Sequence, residues 1–473
     1  MIDSSVRALT RSSFTGHGRI IIRQARVPVV CLVDGVPPGS TLDRDGCALV
    51  DILLDDGRVA AVLPAASGVT GDGIDLEGRH LWPLMIDMHV HLDKGHTISR
   101  APASDGTHPS ARAATTADRQ AHWRHDDLVR RMEFGLNCAD AHGVAALRTH
   151  LDSHAGQAET TWAAFDEVQA RWAGRIALQA VGLVPLDAYR TDHGKQLADL
   201  VARQGGLLGG VTRASGGTHG TGKNGLGLDD IDALLDSLFL LARERDLDID
   251  LHVDEAEKAD ALPHVARAAI RHGYEGRVTC GHCCSLALFS EAEIRERIAL
   301  LADAGLFIVT LPTVNMYLQG RAQGITPRWR GVTPVKELRA AGIRVAVAGD
   351  NCRDPFFAYG DHDMVDTWRQ SVRILHLDHP YDDAVALATT QPAAMTGFSA
   401  GTIGAGRPAD LMIFEAWSMD QVIARPQTDR VIVRAGRVSE AVLPSYREIE
   451  LSKGCQGKAD AGFPEKTNDV REI

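Results

Sequence analysis

The sequence contains no long hydrophobic run. Its longest apolar stretch near the start, residues 27–33, is far shorter than the ~18–20 residues that a transmembrane helix needs, and it lacks the layout of a signal peptide. We therefore expect a cytoplasmic protein that has no membrane partner.

The eight cysteines show no disulfide-framework spacing for a chain of 473 residues. Reduced thiols are expected, which agrees with a cytoplasmic location. Cys280, Cys283 and Cys284 flank His282 and suggest a Cys/His zinc site. Because adjacent residues on a strand point to opposite faces, we do not favour that site.

The sequence also lacks clusters of basic residues. Lys and Arg number 50 against 62 Asp and Glu, for a net charge of −12, and the basic residues are scattered along the chain. Nucleic-acid-binding proteins typically carry a basic patch or stripe. Small molecules are therefore the expected partners and nucleic acid is not, while a homo-oligomer stays an open alternative.

The residues that are present are typical of a soluble α/β enzyme: 44% are hydrophobic, 24% are charged and 46 are glycine. The length allows two or three domains, or one large α/β barrel with an appendage. Short β-like runs with turn signals fill residues 20–78, and similar β-like runs recur at 409–414 and 431–438. The second of these runs contains the hairpin signal Arg434-Ala435-Gly436-Arg437.

Eight strand-like runs alternate with helical patterns through the middle of the chain. They are 81–91, 144–151, 176–184, 207–211, 249–253, 277–280, 306–311 and 343–348, with helical patterns such as 229–245 and 291–304 between them. This alternation predicts a (β/α)8 TIM barrel, and the two β-rich chain ends predict a small β-sandwich domain. We assign 1–80 and 399–450 to the small domain, 81–398 to the barrel, and 451–473 to a polar tail.

Four of the eight runs end in residues that bind metals or transfer protons. The first ends in His89 and His91, which point to one side because side chains two apart on a strand share a face. The fifth ends in His252 to Glu255, the sixth in His282, and the eighth in Asp350 and Asn351. Neutral imidazoles suit zinc, iron and similar metals.

The remaining histidines receive simpler interpretations. His150, at the end of the second run, is predicted to be a hydrogen-bonded structural residue. A solvated position in a helix or loop is predicted for His108, His122, His125, His142, His154, His219, His264, His272 and His362.

The ordered set of strand-end motifs resembles the amidohydrolase superfamily, and within it the cytosine deaminase-like enzymes. The motifs are Met88-His-Val-His-Leu-Asp-Lys94, Leu251-His-Val-Asp-Glu255, Gly281-His-Cys-Cys284 and the stretch from Gly349 to Phe356. The resemblance extends over the whole chain, including the split β module and the closing Gly404-Ala-Gly-Arg-Pro-Ala-Asp-Leu411.

The resemblance implies a ligand set and catalytic roles. His89, His91, His252 and Asp350 would bind one divalent ion per chain, zinc or iron(II). Glu255 would be the proton shuttle, His282 would orient or polarise the reacting group, and Asp350 would also hold the nucleophile. Binuclear members carry a lysine at the end of strand four, and this sequence has Val211-Thr-Arg213 there, so the resemblance implies a mononuclear site.

The reaction implied is hydrolytic deamination of an amino-substituted nitrogen heterocycle. Metal-bound hydroxide would attack the ring carbon while Glu255 protonates the ring nitrogen, and ammonia would leave. One alternative is hydrolysis of a cyclic amide or of a substituted amino-heterocycle, as in hydantoinase-like or aminotriazine-type enzymes. Another is a metal-binding scaffold that has lost catalysis, which the retained Glu255, His282 and Asp350 disfavour.

The expected substrate pocket departs from the cytosine pattern. The family's carbonyl-reading glutamine corresponds to Leu186, which puts cytosine in doubt, and Arg213 would offer a planar donor fork to a carboxylate or carbonyl. Leu186, Arg213, Asn351 and Phe356 are the predicted substrate-binding residues. The glycine-rich segment 214–227 is expected to close over a larger ring.

Three further residues near the motifs receive predictions. Asp93 is predicted to hydrogen-bond a ligand histidine, Lys94 to be exposed, and Asp254 to be a solvated loop acid.

Overall fold

The computed structural model describes residues 14, 16–103, 105–215, 231–257, 259–381 and 383–450. The N-terminal part forms a five-stranded sheet. Its strands are β1 (Arg19–Pro28), β2 (Thr41–Leu42), β3 (Cys47–Asp55), β4 (Arg58–Pro64) and β5 (Gly73–Asp75). β1 pairs antiparallel with β3 and parallel with β5, and β3 also pairs with β2 and β4.

A second, four-stranded sheet joins the N-terminal part to the C-terminal part. It contains β6 (Leu81–Pro83), and then, from much later in the chain, β15 (Leu411–Ile413), β16 (Val431–Arg434) and β17 (Arg437–Val438). The predicted hairpin lies between β16 and β17, where Ala435 and Gly436 have φ angles of 44° and 72°. Such angles are typical of a tight two-residue turn between antiparallel strands.

Eight parallel strands form the third sheet, in the order of the sequence. They are β7 (Met85–Val90), β8 (Val144–Asp152), β9 (Ala177–Leu183), β10 (Leu207–Val211), β11 (Ile249–Val253), β12 (Val278–His282), β13 (Phe307–Thr310) and β14 (Val345–Val347). A parallel bridge between Val90 and Asp350 brings the first strand back to the last. The predicted (β/α)8 barrel is confirmed.

The first predicted run, 81–91, is two strands in different sheets. The division lies at Leu84, whose backbone N–H donates to the carbonyl of Asp410 at 3.1 Å. Before it, β6 pairs with the C-terminal β15, and after it, β7 enters the barrel. A continuous hydrophobic run cannot reveal this division, because both halves are buried.

Helices cover the barrel, as the alternating pattern predicts. In chain order they are His108–His122, His125–Ala141, Ala158–Trp172, Asp192–Arg203, Ile231–Glu244, Leu262–His272, Glu291–Asp303, Pro312–Leu318, Val335–Ala340, Met364–Leu375 and Thr390–Thr396. Met419–Ala424 and Arg447–Glu450 follow them, and short 3-10 helices occupy Val29–Cys31, Leu186–Arg190, Cys284–Leu288 and Ala384–Ala388. Ser290 begins Glu291–Asp303 with a complete capping box.

Buried aromatic rings join the barrel to the C-terminal sheet. The Trp82 ring lies 4.9 Å from Trp368 on helix Met364–Leu375 and 4.7 Å from Phe414, both in edge-to-face geometry. The domain boundaries at residues 80, 398 and 450 stay a prediction, and the tail 451–473 lies outside the described residues. Among the residues that the structure describes, no helix is long and apolar enough to cross a membrane.

Candidate metal centre and active site

The four predicted metal ligands meet at the C-terminal mouth of the barrel. His89 lies on β7 and His91 directly follows it, His252 lies on β11, and Asp350 follows β14. His91 Nε2 is 3.3 Å from Asp350 Oδ1 and 3.2 Å from His252 Nε2, and His89 Nε2 is 3.9 Å from Asp350 Oδ1. All four side chains are buried.

The donor atoms of this cluster suit a divalent ion. Both ring nitrogens of His89 and both carboxylate oxygens of Asp350 are buried without a hydrogen-bond partner among the described residues. Burial holds the pKa of His89, His91 and His252 well below the usual histidine range, so the rings are neutral. Three neutral imidazoles and a carboxylate are a donor set for zinc or iron(II), and an ion would satisfy the orphaned atoms.

Asp350 is strongly affected by its surroundings. Burial raises the pKa of its carboxyl to about 7, with Glu255 adding to that effect and His282 opposing it. Its backbone has a φ of 63°, a left-handed conformation that is uncommon for a residue other than glycine. Strained residues of this kind cluster at active sites.

Glu255 and His282 lie beside the metal ligands. His282 Nε2 is 3.8 Å from Glu255 Oε2. The other ring nitrogen of His282, Nδ1, hydrogen-bonds Asn315 Oδ1 at 2.9 Å, and the Thr333 hydroxyl donates to the His282 carbonyl at 2.7 Å. These contacts fix the ring and leave Nε2 facing the site.

The backbone of Glu255 is also held in place. The side-chain amide of Gln319 donates to its carbonyl. Sequence reasoning missed Asn315, Gln319 and Thr333, because they come from loops and a short helix that contain no recognisable motif.

A cavity of about 640 Å³ opens above these residues. Arg213, Asn351 and Phe356 line it, together with His91, His252, Glu255, His282 and Asp350. Leu186 does not line it: the side chain is fully buried behind the wall, next to Gly210. The predicted contact of Leu186 with substrate is therefore at odds with the structure, and the neighbouring Val184 and Pro185 face the cavity instead.

Asn351 and Phe356 are held by local contacts. Asn351 Nδ2 donates to Asp354 Oδ2 at 2.7 Å. The Phe356 ring lies 5.3 Å from the His108 ring, and Lys94 Nζ lies 5.5 Å from the Phe356 centroid.

A buried charge network lies along one wall of the cavity. Lys94 Nζ is 2.9 Å from Asp152 Oδ1, and Arg119 is 3.1 Å from Asp152 Oδ2. The prediction that Lys94 is exposed is wrong, because this carboxylate compensates the buried charge. Asp93 accepts a hydrogen bond from the Asp152 backbone N–H at 2.6 Å, and none of its described contacts reaches a ligand histidine.

Asp254 is buried, contrary to the prediction. Its two carboxylate oxygens accept from the backbone N–H groups of Ala261 and Leu262 at 2.7 and 2.9 Å. It thus satisfies backbone N–H groups at the start of helix Leu262–His272, and of these two neighbouring acids it is Glu255 that lines the cavity.

Several histidines predicted to be solvated lie in less exposed positions. His108 and His154 line the cavity, and His362 is buried. The structural prediction for His150 agrees with its bond to Asp250, Nε2 to Oδ1 at 3.2 Å. The His150 ring nevertheless lies only 4.0 Å from the His89 ring, and His89, His150 and His252 form one group of closely spaced donor atoms.

Residues 216–227, which make up most of the glycine-rich segment 214–227, lie outside the described residues. Its expected closure over the substrate therefore stays a prediction.

The fold and the site together define the class, a metal-dependent hydrolase built on a parallel α/β barrel. A profile described as "Amidohydrolase family" matches residues 227–443. A pterin deaminase of Rhizobium rhizogenes is 45% identical over 441 residues, which span 92% of this chain and 97% of that protein. The chain belongs to the amidohydrolase family.

Two further proteins are similar over most of their length. An N-isopropylammelide isopropyl amidohydrolase of a Pseudomonas species is 26% identical, over 83% of this chain and 93% of that protein. The structure of 5-methylcytosine deaminase from Klebsiella pneumoniae liganded with 5-fluorocytosine superposes with a TM-score of 0.74 at 25% identity, covering 89% of this chain and 97% of the other. These similarities confirm the predicted fold and reaction class, the hydrolytic deamination of an amino-heterocycle.

Proposed function

We propose that the protein deaminates a pterin-type substrate, a fused bicyclic ring that carries an amino group on an amidine carbon. The observation that carries the proposal is the 45% identity to a pterin deaminase over 97% of that protein. A cavity of about 640 Å³ has room for a fused ring above the candidate metal centre. The apolar stretch Val184 and Pro185 on its wall offers no side-chain donor to a pyrimidine carbonyl.

His89, His91, His252 and Asp350 are the proposed ligands of one zinc or iron(II) ion. Their unpartnered donor atoms and neutral rings support the assignment. A divalent ion bound there supplies a water that is deprotonated near neutral pH.

The protein's own groups then move the protons. The oxygen of water adds to the amidine carbon while one of its protons passes to Glu255, which delivers that proton to the ring nitrogen. The hydroxyl proton of the adduct then passes through Asp350 and Glu255 to the amino group, the carbon–nitrogen bond breaks, and ammonia leaves as the carbonyl forms. His282, held by Asn315 at 2.9 Å, aims Nε2 at the reacting group.

Arg213 is the proposed recognition residue for the far end of the substrate. The only described hydrogen bond of its guanidinium is a long one, 3.5 Å to the carbonyl of Ala214, and its Nε is buried without a partner among the described residues. Burial lowers the pKa of its guanidinium, and the neighbouring Arg112 lowers it further. Two cationic groups on one wall favour a carboxylate or carbonyl on the substrate. Asn351 and Phe356 would contact the ring itself.

A second candidate reaction releases a substituted amine in place of ammonia. The similarity to an N-isopropylammelide isopropyl amidohydrolase over 83% of this chain favours a substituted amine. The same water and the same acid would serve both reactions, so the product separates them: ammonia from an amino ring, an alkylamine from an alkylamino ring.

The test is a substrate screen with metal-loaded protein that measures ammonia and alkylamine release. Pterins are expected to give the highest kcat/KM, well above cytosine, isocytosine and alkylamino-triazines. A higher kcat/KM for cytosine or for an alkylamino-triazine would reject the pterin proposal.

A cytoplasmic location is part of the proposal. It is supported by the seven described cysteines, all of which are buried free thiols.

A further inference from the structure

A second group of metal-ligand side chains lies beside the barrel seam. His96 follows β7, while Cys352 and His362 lie in the segment after β14. One donor atom from each of the three lies within 4.8 Å of the other two, and all three side chains are buried. None of the three belongs to the candidate ligand set of the catalytic centre.

The polar atoms of this group are not satisfied by the protein. Both ring nitrogens of His96 and Nε2 of His362 are buried without a hydrogen-bond partner among the described residues. A buried polar atom left unsatisfied costs about 1–3 kcal/mol. Two strained conformations add to this cost, since His96 and His362 have φ angles of 59° and 54°. Buried, strained and unpartnered histidines next to a thiol are explained when a ligand joins them.

We propose that His96, Cys352 and His362 form a second metal site, which binds a thiophilic divalent ion such as Zn²⁺. Imidazole nitrogen and thiolate sulfur are both ligands that zinc accepts. The bonds formed are two metal–nitrogen bonds and one metal–sulfur bond. The Cys352 thiol loses its proton to solvent as the ion binds.

The surroundings of the group suit an ion. Burial holds the pKa of His96 well below the usual range and that of His362 at about 4, so both rings are neutral ligands. Cys352 and His362 line a second cavity of about 620 Å³, which gives an ion a path to the site. Asp361 lines the same cavity, and burial together with the Asp361 charge raises the pKa of the Cys352 thiol, so this thiol gives up its proton only when an ion binds.

The site links the two loops that carry the catalytic centre. His96 lies five residues after His91, and Cys352 lies two residues after Asp350. The backbone N–H of His96 donates to the carbonyl of Cys352 at 3.1 Å, so the loops are already paired there. An ion at this point would hold His91 and Asp350 at a fixed separation without touching the substrate.

Cobalt substitution tests the proposal, because the candidate catalytic ligands contain no sulfur. Wild-type protein stripped with a chelator should take up two equivalents of Co²⁺ and develop the sulfur-to-cobalt charge-transfer absorption of the near ultraviolet. Cys352→Ser and His96→Gln should each take up one equivalent and lose that absorption. Cys31→Ser is the matched control, since it removes a buried thiol far along the chain and should keep both.

The wild-type protein decides the outcome even if a variant fails to fold. X-ray absorption at the zinc edge of protein loaded with two equivalents should show sulfur at ~2.3 Å. Uptake of a single equivalent with only nitrogen and oxygen neighbours overturns the proposal, as does a charge-transfer absorption that Cys352→Ser retains. A lost absorption in Cys31→Ser would also overturn it.

Discussion

The backbone N–H of Asp350 donates a hydrogen bond to the carbonyl of His89 at 2.8 Å. Two candidate ligands, one from the first barrel strand and one from the segment after the last, are thereby joined through their main chains. The separation of their side chains is set by the same bond that brings the barrel ends together. A change in the seam is therefore expected to change metal binding.

The number of bound metal ions should depend separately on the catalytic ligands and on the ligands of the proposed second site. In the Cys352→Ser background, which removes the proposed second site, we expect one tightly held divalent ion per chain. Adding His252→Ala should remove most of that ion and all turnover, because one of four ligands is lost. Metal analysis of protein purified without chelator measures this, and two ions in Cys352→Ser protein would contradict a mononuclear catalytic centre.

Glu255→Gln should keep the metal and lose about 10²–10⁴-fold in kcat, since an amide cannot shuttle protons. The measurement is kcat on metal-replete protein, with metal content determined in parallel. Glu257→Gln is the matched control, because Glu257 is exposed two residues further on and should leave kcat unchanged. An unaltered kcat in Glu255→Gln would remove this residue from the mechanism.

Arg213→Ala should lower kcat/KM for a carboxylate-bearing pterin about 10–100-fold more than for a neutral one, because a hydrogen bond to a charged group contributes ~1.5–3 kcal/mol. Steady-state kinetics on the two substrates give the ratio. The exposed Arg203 provides the control, and Arg203→Ala should leave the ratio unchanged. Equal losses of kcat/KM on both substrates would mean that Arg213 does not recognise the substrate carboxylate.

His80 should make the folded protein less stable in acid. Burial lowers the pKa of its ring to about 3, from 6.5 in an exposed histidine, and Trp82 Nε1 donates to its Nδ1 at 3.2 Å. The unfolded chain therefore binds more protons between pH 6.5 and 3, so the contribution of neutral His80 is complete above pH 6.5 and is lost as the pH falls through that window. At ~1.4 kcal/mol per pKa unit, the difference amounts to a few kcal/mol.

Urea unfolding of wild type and His80→Gln at pH 7 and pH 4.5 measures this contribution. The variant should lose less stability than wild type between the two pH values. His379→Gln changes a largely exposed histidine and should behave as wild type does. Identical pH dependence of wild type and His80→Gln would show that His80 does not carry the effect.

Much of the barrel could be predicted, because each buried strand is a hydrophobic run that ends in polar residues. β10 and β11 match the predicted 207–211 and 249–253 at both ends, and the candidate ligand His252 stands near the end of the second. The sequence also carries the turn chemistry of the hairpin at Ala435 and Gly436. Such features are local, so neighbouring residues along the chain suffice to indicate them.

The wrong predictions concern residues whose surroundings come from distant parts of the chain. Helix His108–His122 carries His108, Arg112 and Arg119 to the cavity, and periodicity shows that a helix has a buried face but not what that face packs against. Lys94 looks exposed until Asp152, from the next strand, supplies its counter-charge. The proposed roles of the site residues stay predictions until the variants are measured.

The division of residues 81–91 between two sheets constrains the order in which the molecule is made. β6 cannot pair until β15, more than three hundred residues later, has been synthesised. β7 likewise cannot close the barrel until Asp350 has been synthesised. Contacts between residues so distant in sequence form late, because closing a long loop costs conformational entropy before the contact adds any stability. A nascent chain on the ribosome therefore exposes His89 and His91 well before their partners exist. We therefore expect the candidate metal centre to be complete only after Asp350 has been synthesised.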